Sequence, residues 1–433
     1  MRAPAAIGVD FGTTNTVVAL GDGSDHAPLV AFETPTNPAA AFRSTLSFNH
    51  DPADPRGRAV NAGPWAIEAY LDDPGETRFI QSFKNYAASP LFSETQILGR
   101  RYTFEDMLSA FLLQLRDKGG EALGGGGRVI VGRPVRFVGG APDPALALKR
   151  YQTAFERLGF TDILYVYEPV AAAFFFARRL DQDATVLVAD FGGGTSDFSI
   201  VRFERKAGAL SARALGQSGV GVAGDAFDYR IIDNLVSPAL GKGSSYRDFD
   251  NVLPMPARYY ASFARWDQLA LMRASRDMRD IRSLVRKSFE PDKIEQLVEL
   301  LDGNHGYHLY QSVSRLKEAL SAETSARFVF HAGSISIERA VERDAFTGWI
   351  ARELAAIEAA VDEALADAGL KPGQIDRVFL TGGSSFVPAV RAIFNARFDP
   401  AKIATGAELE SIASGLALIG GEADLAPWCS RAN

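Results

Sequence analysis

The clearest pattern of apolar and polar positions lies at residues 186–201, VLVADFGGGTSDFSIV. Residues 186–189 are an unbroken apolar run that suits a buried strand, and 198–201 resume it. Between the runs Gly192, Gly193 and Gly194 precede Thr195. The stretch therefore predicts a strand–turn–strand hairpin whose tip can offer successive N–H groups to an anion. Asp190 and Asp197 flank the tip, carboxylates of the kind that hold Mg²⁺ through water beside phosphates. Three glycines alone would equally make a plain flexible tip. A second copy, residues 7–20 (IGVDFGTTNTVVAL), favours the anion site. It repeats the plan of apolar strand, Asp10, an aromatic residue, Gly12, the turn Thr13-Thr14-Asn15 and a β-branched run. Neither copy has the Gly-Lys-Ser/Thr of a P-loop, and neither turn opens a helix as a dinucleotide fingerprint does. Two such hairpins predict two similar lobes facing each other across a nucleotide.

The remaining pattern fills in around them. Residues 27–48 read as short strands broken by Pro28, Pro35 and Pro38, 51–63 as a loop rich in Pro, Asp and Gly, and 64–71 as a short helix. Thr103, then Glu105 and Asp106, then Met107, Phe111, Leu112 and Leu115 predict an amphipathic helix over 103–116. A glycine turn at 124–127 precedes a strand at 129–131, and a helix at 143–158 precedes a strand at 163–166. Tyr167-Glu168-Pro169 then leads into a small-residue helix at 170–178, and a glycine turn at 219–225 into a helix at 227–235. Residues 237–320 change character: Pro, Gly and Ser give way to a long helical stretch, closed by a helix at 312–321. There Leu269, Met272, Ile281, Leu284 and Val285 read as a packing stripe among charges that include Arg273, Arg276 and Arg279. An Ala-rich helix over 339–368, a strand ending in Gly382-Gly383, a helix begun by Pro388 and a small-residue helix at 411–419 complete the chain.

Composition narrows the class. A chain of 433 residues exceeds the size at which one core stops growing, so two or more domains are expected. Its 47% hydrophobic and 23% charged residues are those of an ordinary soluble globular protein. A net charge of −7 argues against nucleic acid as the main partner. Cys429, the only cysteine, excludes an intramolecular disulfide and a cysteine-based zinc cluster, and the five histidines lack ligand spacing. No leader peptide and no apolar run of about 18 residues is found, so no membrane span and a cytoplasmic location are expected.

Two charged residues stand near these elements. Lys84, among aromatic and apolar neighbours, reads by itself as a solvated surface lysine, and Glu168 as an acid complementing a helix dipole. The order of motifs changes both readings. It resembles the actin-like ATPase superfamily, and within it the nucleotide-binding domain of DnaK-type 70 kDa heat-shock chaperones. Residues 7–20 and 189–201 look like that family's two phosphate motifs, Glu168-Pro169 with Ala171-Ala172-Ala173 like its Glu-Pro-Thr-Ala-Ala-Ala segment, and 380–388 like its adenosine motif. Lys317 and Ser321 match its adenosine-contacting helix. Glu318 and Phe386 stand where the family carries adenine-stacking arginines, and of the two only Phe386 can stack on a base.

The resemblance implies an α/β fold of two actin-like, ribonuclease H-like lobes with mixed sheets flanked by helices and a nucleotide cleft between them. Lobe I would be 1–185, with subdomain IA at 1–39 and 102–185 and IB at 40–101. Lobe II would be 186–433, with IIA at 186–236 and 335–433 and a helical insert, IIB, at 237–334. It implies ATP/ADP and Mg²⁺, with Asp10 and Asp190 holding the hydrated ion. Gly12, Thr13, Thr14, Asn15, Gly192, Gly193, Gly194 and Thr195 would bind phosphates. Gly224, Asp225, Lys317, Ser321, Gly382, Gly383, Ser384 and Phe386 would bind the nucleoside side. Lys84, Glu168, Asp197 and Thr195 would serve hydrolysis. Residues 422–433 cannot form the family's β-sandwich peptide-binding domain, so a short, YegD-like protein is expected: a slow Mg²⁺-dependent ATPase acting as a conformational switch, with any protein partner on the insert. A nucleotide-dependent filament or scaffold protein is the alternative, and a sugar-kinase-type phosphotransferase a further one.

Overall fold

Both glycine hairpins form, and each is the centre of a five-stranded sheet. The computed structural model describes residues 6–24, 26–34, 39–51, 57–73, 75–120, 123, 127–139, 141–178, 182–206, 209–265, 276–303, 305–405 and 410–432. In the first sheet β1 (Ala6–Phe11) pairs antiparallel with β2 (Asn15–Gly21), and β2 with β3 (Ala41–Arg43). On the other side of β1, β4 (Arg128–Arg133) and β5 (Asp162–Tyr167) add in parallel. The second sheet repeats this plan. β6 (Ala184–Phe191) pairs antiparallel with β7 (Ser196–Lys206), and β7 with β8 (Ala209–Val220). β9 (Arg377–Thr381) and β10 (Ile403–Thr405) add in parallel on the far side of β6. The likeness of the two hairpin sequences is thus the trace of two sheets of one topology.

The helices repeat as well. α1 (Phe104–Gly119) starts at a Thr103 capping box, in which the Thr103 hydroxyl accepts from Asp106 N and the Asp106 carboxylate accepts from Thr103 N. α2 (Pro144–Arg157) is capped by Asp143 and joins β4 to β5. α3 (Glu168–Ala177) follows β5, and all ten of its residues are buried. α4 (Gly224–Ile231) and α5 (Gly306–Ala322) lie outside these two sheets, in a second unit. α6 (Pro388–Asn395) joins β9 to β10, and α7 (Ser411–Ile419), again buried throughout, follows β10. A helix apolar on every side needs cover on every side. α3 and α7 obtain it by packing on each other, α3 also against β6 and β7, and α7 against β1, β2 and β4. Each therefore packs beneath the hairpin of the opposite sheet. Gly415 permits the crossing, because a Cβ there would land on the Ala171 carbonyl. The core between the sheets is built from these two helices with Val17, Ile130, Val186, Val188 and Phe379, and the Phe176 and Phe379 rings stack at 3.9 Å.

By contacts the chain divides into two units. The first comprises 1–223, 356–385 and 390–433 and contains both sheets. The second comprises 224–355 and 386–389. It carries α4 and α5, the helices Arg276–Val285 and Pro291–Asp302, and two hairpins, Ser245–Asp248 with Asn251–Pro254 and Ser325–Ala332 with Ile335–Glu342.

Several expectations need correction. The loop at 51–63 ends in a strand, Arg58–Ala62, paired with Thr45–His50. The stretch 237–320, read as helical, contains the hairpin at 245–254. The helix expected over 339–368 begins only at Arg343, because 335–342 alternate between the two faces of a strand; it is also broken at Ile350 into Arg343–Trp349 and Ala351–Asp367. Residues 124–126 of the glycine turn, and Leu269, Met272 and Arg273, lie outside the described residues.

Candidate functional site

The two hairpin tips are the same turn. Gly12 N donates to Asn15 O at 3.0 Å, and Gly192 N donates to Thr195 O at 2.9 Å. Asp10 stands opposite Val17 across the first hairpin, and Asp190 opposite Asp197 across the second, so the two aspartates hold equivalent positions. Phe11 and Phe191 follow them and are buried, which sends each aspartate to the opposite face of its strand. The tips adjoin: a Cβ on Gly194 would stand 3.6 Å from Thr13 Oγ1 and 3.0 Å from Asn85 Oδ1. Thr13 is buried, Thr14 O accepts from Ser44 N, and the Asn15 side chain accepts from Arg43 Nη1 at 3.1 Å, an anchor to β3.

Beside the tips lies a group of buried charges. Lys84, on the short 3₁₀ turn Phe83–Tyr86, donates from Nζ to Glu168 Oε1 at 2.9 Å. Their side chains are 9% and 7% exposed, far too enclosed for the solvated lysine that the local sequence suggests. The Phe11 ring lies 5.8 Å from Nζ. Glu168 is the first residue of α3, where the helix dipole favours a carboxylate. Room for it comes from Gly132 on β4, since a Cβ there would stand 3.0 Å from Glu168 Cγ. Asp190 Oδ1 accepts from Thr381 Oγ1 at 2.7 Å. Asp197 Oδ1 accepts from Val135 N at 2.8 Å and Arg136 N at 3.1 Å.

Burial dominates the electrostatics. It pushes Asp190 up to about 7 and Asp197 up to about 8, with the Glu168 charge adding to both, while the Thr381 hydroxyl holds Asp190 down and Thr195 and the Arg136 amide hold Asp197 down. Asp10 is raised by burial and by Glu168, against Lys84. Burial would lower Lys84, yet Glu168, Tyr151 and Asp10 outweigh it and the ammonium is held more firmly charged. The Lys84 ammonium acts on Asp10 and Asp190 and is paired with Glu168, and the Glu168 charge reaches Asp197 as well. That excess of buried carboxylate fits a divalent cation. Among the described residues no three such groups are close enough to enclose an ion by themselves. Asp10 and Asp190 therefore suit an ion that keeps most of its waters, as Mg²⁺ does.

The other expected residues fall in separate places. Gly382, Gly383 and Ser384 follow β9 in the first unit, with Ser384 buried. In the second unit Gly224 and Asp225 open α4, and Lys317 on α5 reaches them: its Nζ donates to Asp228 Oδ1 at 2.7 Å and lies 3.5 Å from Gly224 O. Burial opposes the charge on Lys317, but Asp228 outweighs it and raises its basicity. Ser321 donates to Lys317 O within its own helix, and Phe386 is 47% exposed. Thr381, Gly132, Asn85 and Tyr151 were not expected from the sequence. Thr381 alone had a local signal there, as the last residue of a strand before Gly382-Gly383.

A family model described as "Hsp70 protein" matches residues 151–245 and 286–423, just over half the chain. Chaperone protein DnaK of Halobacterium salinarum strain R1 is 26% identical over 398 residues, covering 90% of this chain and 52% of that protein. The DnaK of strain NRC-1 matches to the same extent. The chain spans about half the length of these curated relatives.

Proposed function

Since the chain belongs to the Hsp70 family, we propose that it binds Mg·ATP between the lobes 1–185 and 186–433, hydrolyses it slowly, and uses the ATP and ADP states as a conformational switch. The observation that carries this reading is the pair of matching glycine turns meeting beside the buried Lys84–Glu168 pair. Phosphoryl transfer needs positioning and charge stabilisation more than covalent chemistry, and those are what buried charges at a phosphate cradle supply.

In this reading the N–H groups and hydroxyls of 12–15 and 192–195 bind the phosphates. Lys84 neutralises charge gathering on the γ-phosphoryl oxygens. Glu168 orients the attacking water, whose oxygen bonds to the γ-phosphorus as the bond to the ADP oxygen breaks. The water's proton passes toward Thr195 and Asp197, and ADP and phosphate leave. A bound Mg²⁺ on Asp10 and Asp190 would add a Lewis acid that offsets phosphate charge. Gly224, Asp225, Lys317, Ser321, Gly382, Gly383, Ser384 and Phe386 bind the nucleoside. Any protein partner docks on the insert at 237–334, and the location is cytoplasmic.

Calorimetric titration with Mg·ATP and Mg·ADP tests binding, and single-turnover hydrolysis tests the chemistry. Lys84→Ala is expected to leave nucleotide affinity within a few-fold while cutting turnover by roughly 100-fold or more. Failure of the wild type to bind either nucleotide would defeat the reading. Equal loss of affinity and rate in the variant would assign Lys84 to ground-state binding instead.

A further inference from the structure

Tyr151 on α2 is fully buried, with its ring held by Phe11, Phe104 and Phe137 at centroid distances of 5.9, 6.1 and 6.3 Å. Phe11 is also the ring beside the Lys84 ammonium, so Tyr151 stands one aromatic ring away from the Lys84–Glu168 pair. Its hydroxyl has no hydrogen-bond partner among the described residues. Two other buried tyrosines do have one. Tyr165 Oη donates to Gln152 Oε1 at 3.2 Å, and Tyr260 Oη donates to Leu240 O at 2.9 Å. A phenylalanine would fill the Tyr151 position equally well. A phenol there loses its hydration with no protein partner in return, and buried polar groups of that kind call for a specific explanation. The charges that act on this hydroxyl, after burial itself, are those of Lys84, Glu168, Arg133 and Asp10.

Resting on the nucleotide reading above, we propose that Tyr151 is a positioning residue for hydrolysis: its hydroxyl holds an internal water shared with the Lys84–Glu168 pair, and so fixes how that pair faces the γ-phosphate. The donors and acceptors match. Lys84 has three N–H groups and spends one on Glu168 Oε1, Glu168 keeps its second oxygen, and the phenol can donate or accept. A buried water commonly makes about three hydrogen bonds, the number these groups provide. The hydroxyl is buried with its ring, so a water held there stays away from solvent.

Tyr151→Phe keeps the ring and removes only the hydroxyl, and Tyr165→Phe, on strand β5, serves as the control for loss of another buried phenol. In nucleotide-free protein the Tyr151→Phe midpoint is expected to fall by about 2 °C, because a bonded hydroxyl has been lost. An unbonded hydroxyl would give a rise on removal. In single-turnover hydrolysis Tyr151→Phe should slow the step roughly ten- to a hundredfold with ATP affinity unchanged, since the pair loses its setting. Tyr165→Phe should lower the midpoint and leave the rate alone. A raised midpoint, or a rate equal to wild type, overturns the proposal while leaving ATP hydrolysis standing. A wild-type protein that turns over no ATP would instead defeat the hydrolysis reading beneath it.

Discussion

A buried carboxylate proposed to hold a cation needs a neighbour that keeps it ionised. For Asp190 that neighbour is Thr381, whose hydroxyl donates to Oδ1 at 2.7 Å and opposes the upward push of burial and of Glu168. Val has nearly the shape of Thr, and position 381 is fully buried, so Thr381→Val should fold normally while losing this bond. Hydrogen bonds to charged groups contribute about 1.5–3 kcal/mol, so Mg²⁺-dependent ADP binding is expected to weaken about tenfold or more. Titration of both proteins with Mg·ADP checks this, and equal affinities would remove Thr381 from the site. Asp10 and Asp190 stand out in the sequence because each lies inside a short glycine motif, whereas Lys84 by itself reads as a solvated lysine and is singled out only by the resemblance. Gly132 carries no such signal and Thr381 only that of a strand end, because their importance comes from strand register. Thr381 pairs with Asp190 across the β6–β9 ladder, and Gly132 lies one residue beyond the Val9–Val131 pair. No reading of neighbours along the chain shows which residues lie side by side in a sheet.

At the scale of elements the decisive contact is the crossing of α3 and α7, which binds the two sheets into one unit. Both helices are buried on every side, and their backbones approach closely because Gly415 meets the Ala171 carbonyl. Gly415→Val would need one backbone to retreat, at a cost of about 1–3 kcal/mol or more by overpacking. The expected result is a lower denaturation midpoint together with weaker nucleotide binding, because Glu168 is the first residue of α3 and moves with it. A variant as stable as wild type would show that the crossing tolerates expansion. Both helices were evident from composition, since runs such as AAAFFFA and SGLALI suit no partly solvated position. The elements missed were hairpins with one wet face. Residues 325–342 alternate buried and exposed positions, yet their Arg, Ser and Glu content resembles that of a polar helix. β8 is similarly rich in Ser, Arg and Gly, and it is recruited by its ladder to β7.

For the whole molecule the buried carboxylates set a pH dependence. Asp190 and Asp197 have an ordinary value of 3.8 and are pushed up to about 7 and about 8 in the fold. Between those limits the folded protein keeps protons that the unfolded chain has already released. Stability therefore falls as pH rises, by about 1.4 kcal/mol per pH unit for each such group, and levels off above the folded values. The contribution is fully present below about 4 and is lost as pH rises through about 7 and about 8. Asp162 and Asp362, whose ion pairs to arginines hold them below the ordinary value, act in the opposite sense but at lower pH, and His305, lowered from its ordinary 6.5 chiefly by burial, opposes the slope only at the acidic end of the window. In a chelator, without nucleotide, the thermal midpoint should drop from pH 5.5 to pH 8.5. Mg·ADP, which favours the ionised carboxylates, should stabilise the protein more at the alkaline end than at the acidic end. Asp197→Asn, which cannot ionise, should flatten part of the slope in the chelator. A midpoint that stays level across this range, in wild type and variant alike, would mean that these carboxylates ionise freely in the fold. The proposed Mg²⁺ site would then need no help from an ion to become charged.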